Sequence, residues 1–273
     1  MSNNRSLKEI SAGQVDDATN TIKLPSMVTI PAGSFRMGTS NDDINRLVLK
    51  ESDWAYEWSD QNLFISEQPN YTMTLPAFEM GLHQVTNAEY NVFIIATGHR
   101  LPRGWIGFRF PDTLDNHPVV GISKMDAEVY IEWMNSISGN IYHLPNEAEW
   151  EYSCRGNDGR IFPWGNIFDP WRCNTSESER KGTTPVDYYS GSGSSPFGIM
   201  DMVGNVWEWT CTIFKPYPVN LDNKPDESRA RQLFTIRGGS WYYSRKLARC
   251  AARESMMADQ LSNNIGFRLA RSL

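Results

Sequence analysis

The sequence predicts a single mixed α+β domain, rich in loops, with few and short helices and strands. Three observations lead there. Aromatic residues are abundant, with ten Trp, eleven Tyr and twelve Phe among 273 residues. Such side chains bury large areas, yet Tyr and Trp still need polar partners, which suits irregular packing better than long amphipathic elements. Three stretches share a helix-starting grammar: Thr86-Asn87-Ala88-Glu89, Ser123-Lys124-Met125-Asp126 and Asn146-Glu147-Ala148-Glu149 each place a capping side chain ahead of an acid. Between 156 and 200, Gly, Ser, Pro and Asn dominate, with turn signals such as Asn157-Asp158-Gly159 and Ser190-Gly191-Ser192-Gly193.

Taken in order, residues 1–25 are polar and read as a flexible arm ahead of one domain spanning 26–273. Met27-Val28-Thr29-Ile30 is a short strand ended by Pro31-Ala32-Gly33, and Met73 to Leu75 is another. The stretch 41–70 reads as a long polar connection carrying Trp54, Tyr56 and Trp58, of the kind that often covers a site. Helices of about ten residues are expected after each of the three caps. The second shows Val129, Tyr130 and Trp133 at helical spacing. No linker or repeat divides the chain, so two or three helices and one domain are expected.

The net charge of −6 argues against general nucleic-acid binding. It is unevenly spread: from Arg231 onward, eight basic residues face Glu254 and Asp259, giving about +6 there and about −12 elsewhere. Those arginines are expected to pair with carboxylates across the fold; an anionic-ligand surface is the sharper alternative. No stretch reaches 18 apolar residues and the N-terminus has no apolar core, so no membrane span and a cytoplasmic location are expected, unless a leader has been removed. Cys154, Cys173, Cys211 and Cys250 lack C-x-x-C spacing, which speaks against zinc. His83, His99, His117 and His143 form no metal-binding sequence pair, and His117, before a proline, is expected to fix a turn.

Several ordered motifs resemble the FGE-sulfatase family, that of the formylglycine-generating enzymes. They are the opening Met27-Val28-Thr29-Ile30-Pro31-Ala32-Gly33, then Gln84-Val85-Thr86-Asn87-Ala88-Glu89, His117-Pro118-Val119, and Leu144-Pro145-Asn146-Glu147-Ala148-Glu149-Trp150. Phe162-Pro163-Trp164-Gly165, Val203-Gly204-Asn205-Val206-Trp207-Glu208, Arg237-Gly238-Gly239-Ser240-Trp241 and Asn264-Ile265-Gly266-Phe267-Arg268 complete the series. The resemblance implies a C-type-lectin-like fold and bound structural calcium. Its first calcium would fall on Asp201, Glu208 and the carbonyls of Gly204 and Val206, unless Glu208 pairs with a C-terminal arginine instead. Its second would use Asn174 and the carbonyl of Thr175. The acid of that second site falls on Ser178, flanked by Glu177 and Glu179, which puts the site in doubt.

The resemblance also identifies a departure. The family's oxidase holds Cu(I) between two cysteines after the Gly-Gly-Ser motif, and soft thiolates suit that ion. Here the first falls on Tyr243 and the second on a shortened stretch without cysteine, so no copper and no formylglycine generation are expected. Cys250 matches a cysteine that pairs with the position of Cys154, so those two are expected to lie close, as thiols or a disulfide. In some family members the segment between the Gly-Gly-Ser-Trp and Asn-Ile-Gly-Phe-Arg motifs forms a variable ligand face, as in targets of diversity-generating retroelements. Its equivalent is Tyr242, Tyr243, Ser244, Lys246, Glu254, Ser255, Met256 and Met257, facing an unknown protein or small-molecule ligand; Trp241 is expected in the core. The alternative is a repurposed oxidative tailoring enzyme with Tyr243 and Glu254 as acid–base candidates. Ser240 is a weaker catalytic candidate, with no adjacent base.

Overall fold

Strand pairing ties distant parts of the chain together. The computed structural model describes residues 23–106, 110, 113–218 and 232–273; most of the expected arm, residues 1–22, lies outside them. Strand β1 (Met27–Ile30) is followed, after Pro31 and Ala32, by β2 (Gly33–Met37), which pairs antiparallel with β3 (Tyr71–Leu75). The next strand, β4 (Phe78–Gly81), pairs with β1 on one side. On its other side it takes β10 (Ala270–Ser272), which in turn pairs with β5 (Tyr142–His143). The second sheet contains β6 (Trp207–Ile213), β7 (Leu233–Arg237), β8 (Arg253–Met257) and β9 (Ile265–Gly266), in the order β8-β7-β6-β9.

All three expected caps form, and each is a reciprocal capping box. Helix α3 (Asn87–Thr97) starts at Thr86 with Glu89 reaching back, α4 (Lys124–Ser138) at Ser123 with Asp126, and α5 (Glu147–Arg155) at Asn146 with Glu149. Each box satisfies two backbone N–H groups that a helix start would otherwise leave without partners. Helix α4 stacks Tyr130 on Tyr90 of α3, with centroids 5.5 Å apart, and both pack on Phe267. This aromatic layer lies against Trp209 and Phe234 of the second sheet.

The stretch 41–70 is not the expected connection. It contains α1 (Asn41–Lys50), α2 (Ala55–Asp60) and a short 3-10 turn at Leu63–Glu67. A fourth capping box, Ser40 with Asp43, starts α1. Leu47, Trp54 and Phe64 bury themselves against Ile161 and Phe162, forming a third core. The Arg249 guanidinium sits over the Trp54 and Phe64 rings, 5.7 and 5.2 Å from their centroids, and bonds Glu67 at 2.6 and 2.8 Å. The region therefore covers a buried ion pair. Among the described residues, five α-helices thus stand where two or three were expected. The turn-rich reading of 156–200 holds: the described chain there carries one 3-10 turn, Ser176–Ser178, and otherwise loops.

Candidate functional site

The site begins where β7 ends. After Arg237 the backbone turns through Gly238 and Gly239, at φ +101° and +73°. A Cβ at Gly239 would stand 2.8 Å from the Leu247 carbonyl oxygen, so this close turn requires glycine. Two bonds then hold the following loop: the Trp241 N–H donates to the Asn205 carbonyl and the Ser176 N–H to the Tyr243 carbonyl, each at 3.0 Å. Between this loop, strand β8 and the turn into β9 lies a cavity of about 460 Å³. Trp241, Tyr242, Tyr243 and Leu247 line it from the loop, Glu254, Ser255 and Met256 from β8, and Ser262, Asn263 and Asn264 from the turn. Trp207, Ile236 and Ile265 complete it from the second sheet.

Four of those rings form a chain. Trp207 meets Tyr243 at 6.0 Å and 70°, Tyr243 meets Tyr242 at 5.3 Å and 87°, and Tyr242 meets Trp241 at 5.7 Å and 86°. Tyr242 and Tyr243 remain 65% and 38% exposed, so their surfaces are free for contact. Glu254 is the one charged side chain among the described residues lining the cavity. Burial raises its carboxyl above the ordinary glutamate range, partly offset by the Ser255 N–H.

Of the expected ligand face, the structure gathers Tyr242, Tyr243, Glu254, Ser255 and Met256 around one cavity. Ser244, Lys246 and Met257 do not line it. Met257, the last residue of β8, is 37% exposed and lies off the wall. Ser244 and Lys246 turn their carbonyls inward, to the Leu247 N–H and the Arg249 guanidinium. Ser240, the weaker catalytic candidate, is fully buried, within 3.3 Å of the Asn264 amide, and off the cavity wall. Trp241, expected in the core, is half-buried on the wall. Trp207 and Asn264 were not foreseen as site residues, although both stand in motifs already quoted.

No cysteine lines the cavity. Cys154 and Cys250 come together, Sγ to Sγ 2.9 Å, but both are fully buried. Burial pushes the Cys154 thiol well up, which keeps it protonated. Cys173 is buried elsewhere and Cys211 lies on β6. A copper(I) centre needs two accessible thiolates, and these residues do not fit one.

The calcium loops also differ from expectation. Both Glu208 oxygens are taken: Oε1 accepts from Gln84 at 2.9 Å and Arg268 at 2.6 Å, Oε2 from Trp150 at 2.7 Å and Arg268 at 2.6 Å. The carboxylate is therefore engaged in an ion pair with Arg268, the alternative that the sequence left open. Asp201 retains one side-chain bond, from Asn205 at 3.3 Å, and burial raises its carboxyl to about 7. At the second loop the Ser178 hydroxyl lies 2.8 Å from both the Asn174 Oδ1 and the Thr175 carbonyl. The single hydroxyl proton serves one of these oxygens at a time, and a serine stands where the family's second site would have its acid.

The C-terminal arginines are mostly neutralised by pairing. Arg253 bonds Glu147 at 2.7 and 2.8 Å, Arg237 pairs with Glu151, Arg249 with Glu67, Arg268 with Glu208 and Arg271 with Glu79. Arg245 spans Glu51 and Asp53, both at 2.6 Å. Arg231 lies outside the described residues. The four histidines hold separate partners: Gln84 carbonyl, Asp126, Thr183 hydroxyl and Leu144 carbonyl, respectively.

Sheets, caps and glycine turn together define a mixed α+β protein of the formylglycine-generating-enzyme, C-type-lectin-like class. The sulfatase-modifying factor enzyme 1-like domain matches residues 11–273, and the chain belongs to this FGE-sulfatase family. It is 30% identical to the formylglycine-generating enzyme of Bos taurus, over 89% of this chain and 74% of that one. Its fold is similar to that of PvdO from Pseudomonas aeruginosa, with a TM-score of 0.72 and 27% identity over 91% of this chain and 95% of that one. Variable protein 1 of Treponema denticola shares the fold at a TM-score of 0.66 and 16% identity, over 90% and 95% of the two chains.

Proposed function

We propose that this chain is a ligand-binding member of the family that has left formylglycine generation. One observation carries the reading: the cavity after the Gly-Gly-Ser motif is walled by Trp207, Trp241, Tyr242, Tyr243 and Glu254, with no thiol on its surface. Tyr and Trp offer large amphipathic contact area at low entropic cost, and Met256 adapts to shape, which suits recognition. The volume falls in the range of small-ligand sites, roughly 300–1,000 Å³. The test is oxygen consumption by copper-treated protein on cysteine-containing peptides, beside a ligand screen read by Trp fluorescence. No turnover together with saturable quenching is expected. Stoichiometric copper with turnover would overturn the reading.

A second reading has one observation in its favour: Tyr243 and Glu254 share the cavity, as an acid–base pair of a tailoring enzyme must. A ligand found by the screen and returned chemically altered would decide for it. Structural calcium, implied by the family, is not part of this proposal, because Arg268 already holds the Glu208 carboxylate it would use.

A further inference from the structure

We propose that the cavity recognises an aliphatic ammonium group, seated among the rings of Trp207, Tyr242 and Tyr243 with Glu254 as its counter-charge. This rests on the ligand-binding reading above and names the chemistry of the ligand. Two features point the same way.

The first is charge. Glu254 stands alone on the wall, with no Lys, Arg or His among the described lining residues. It also takes part in none of the ion pairs found among the described residues, whereas its neighbour Arg253 is paired at 2.7 Å. The Glu254 carboxylate is exposed at the cavity, so an arriving cation meets a counter-charge that no resident cation holds among the described residues.

The second is ring geometry. An aromatic face carries negative charge density and attracts a cation within about 6 Å of its centroid. Successive rings here stand at 70°, 87° and 86° to one another. The rings that line the cavity are therefore far from coplanar, so they form no flat stacking surface and suit a compact charge better than a planar one. A flat ligand would be better served by parallel rings. The same charge pattern gives an anion no cationic side chain to hold it among the described lining residues.

The same ammonium chemistry occurs in free amines and in lysine side chains of a peptide. The experiment separates them. Titrations followed by Trp fluorescence and calorimetry would use choline and cadaverine as free cations and acetyl-lysine methylamide as the peptide form. The uncharged tert-butyl isostere of choline and its carboxylate counterpart serve as controls. We expect saturable binding of at least one cation, with the isostere about tenfold weaker or worse. Glu254→Gln, checked for an unchanged melting temperature, weakens the cation about tenfold while leaving the isostere alone. Tyr243→Phe keeps the ring and the binding; Tyr243→Leu loses about fivefold. Preference for the lysine derivative assigns a peptide ligand, and preference for cadaverine or choline a free one. Equal binding of the isostere, tighter binding of the carboxylate, indifference to Glu254→Gln, or no saturation by any cation would overturn the inference. A neutral or anionic probe bound in this cavity would do so while leaving the ligand-binding reading intact; that reading falls separately, to copper-dependent turnover of cysteine peptides.

Discussion

Arg253 and Glu254 are neighbours on strand β8, yet they live under opposite rules. Arg253 is 2% exposed and fully engaged, bonding Glu147 twice, the Ser66 and Lys215 carbonyls once each, and lying 4.1 Å over the Tyr217 ring. Glu254 faces the cavity with no ion-pair partner among the described residues. A strand sends successive side chains to opposite faces, so one step along the backbone passes from scaffold to site. The scaffold side matches buried Arg253 with buried Glu147, because an unmatched charge there would be strongly destabilising. The cavity side leaves a charge unmatched, which is what a binding surface requires.

That contrast can be tested at four strengths. Arg253→Ala leaves Glu147 short of its main cation and should cost about 3–5 kcal/mol, read by denaturant unfolding; a loss under 1 kcal/mol would mean the paired side is less committed than its geometry shows. The next effect is in acid. Asp126 is buried, which alone would raise its carboxyl, but Arg100, Ser123 and His99 outweigh this and hold it at about 2 against an ordinary 3.8. A lowered folded-state value means stability present above pH 3.8 and lost as pH falls from there through about 2. Asp126→Asn should remove that acid step, and an unchanged acid profile would discard the assignment.

Calcium comes third. With Glu208 and Ser178 satisfied internally, chelation should move the melting temperature by about a degree or less; a shift of several degrees, equivalent to 1–3 kcal/mol of linkage, would show that the loops open to a cation. The smallest effect is on the cavity side. Glu254→Gln should leave stability within about 0.5 kcal/mol, or raise it slightly, since the charged form is already disfavoured there. A large destabilisation would make Glu254 part of the scaffold.

How much of this could be read from the sequence depended on whether the signal was local. The three caps announced α3, α4 and α5 because a capping box is a feature of four consecutive residues. The same box at Ser40 and Asp43 was there to be read, and with it α1. Helix α2 gave no such sign: its N-cap is Trp54, with no side-chain cap bond. It is helical because Trp54 and Ala55 are buried beside Phe64 and Phe162, a contact no local pattern encodes. The basic C-terminal run correctly suggested pairing, but which glutamate each arginine meets depends on strand register. The site divides in the same way. Tyr242, Tyr243 and Glu254 were legible from their place after the glycine pair. Trp207 and Asn264 reach the cavity through the pairing of β6 with β9, where Trp207 stands opposite Ile265. Glu208 could be placed at a family metal position, but its capture by Arg268 needed three dimensions.

Strand β10 occupies an inner position of the first sheet, flanked by β4 and β5. Residues 270–272 therefore hold together segments that a ribosome would have released some 130 to 190 positions earlier. Until they emerge, both of those strands carry bare edges able to pair with another nascent polypeptide. Synthesis of this domain consequently exposes a window of aggregation that closes only when its final strand slots in, and slowing translation should widen that window.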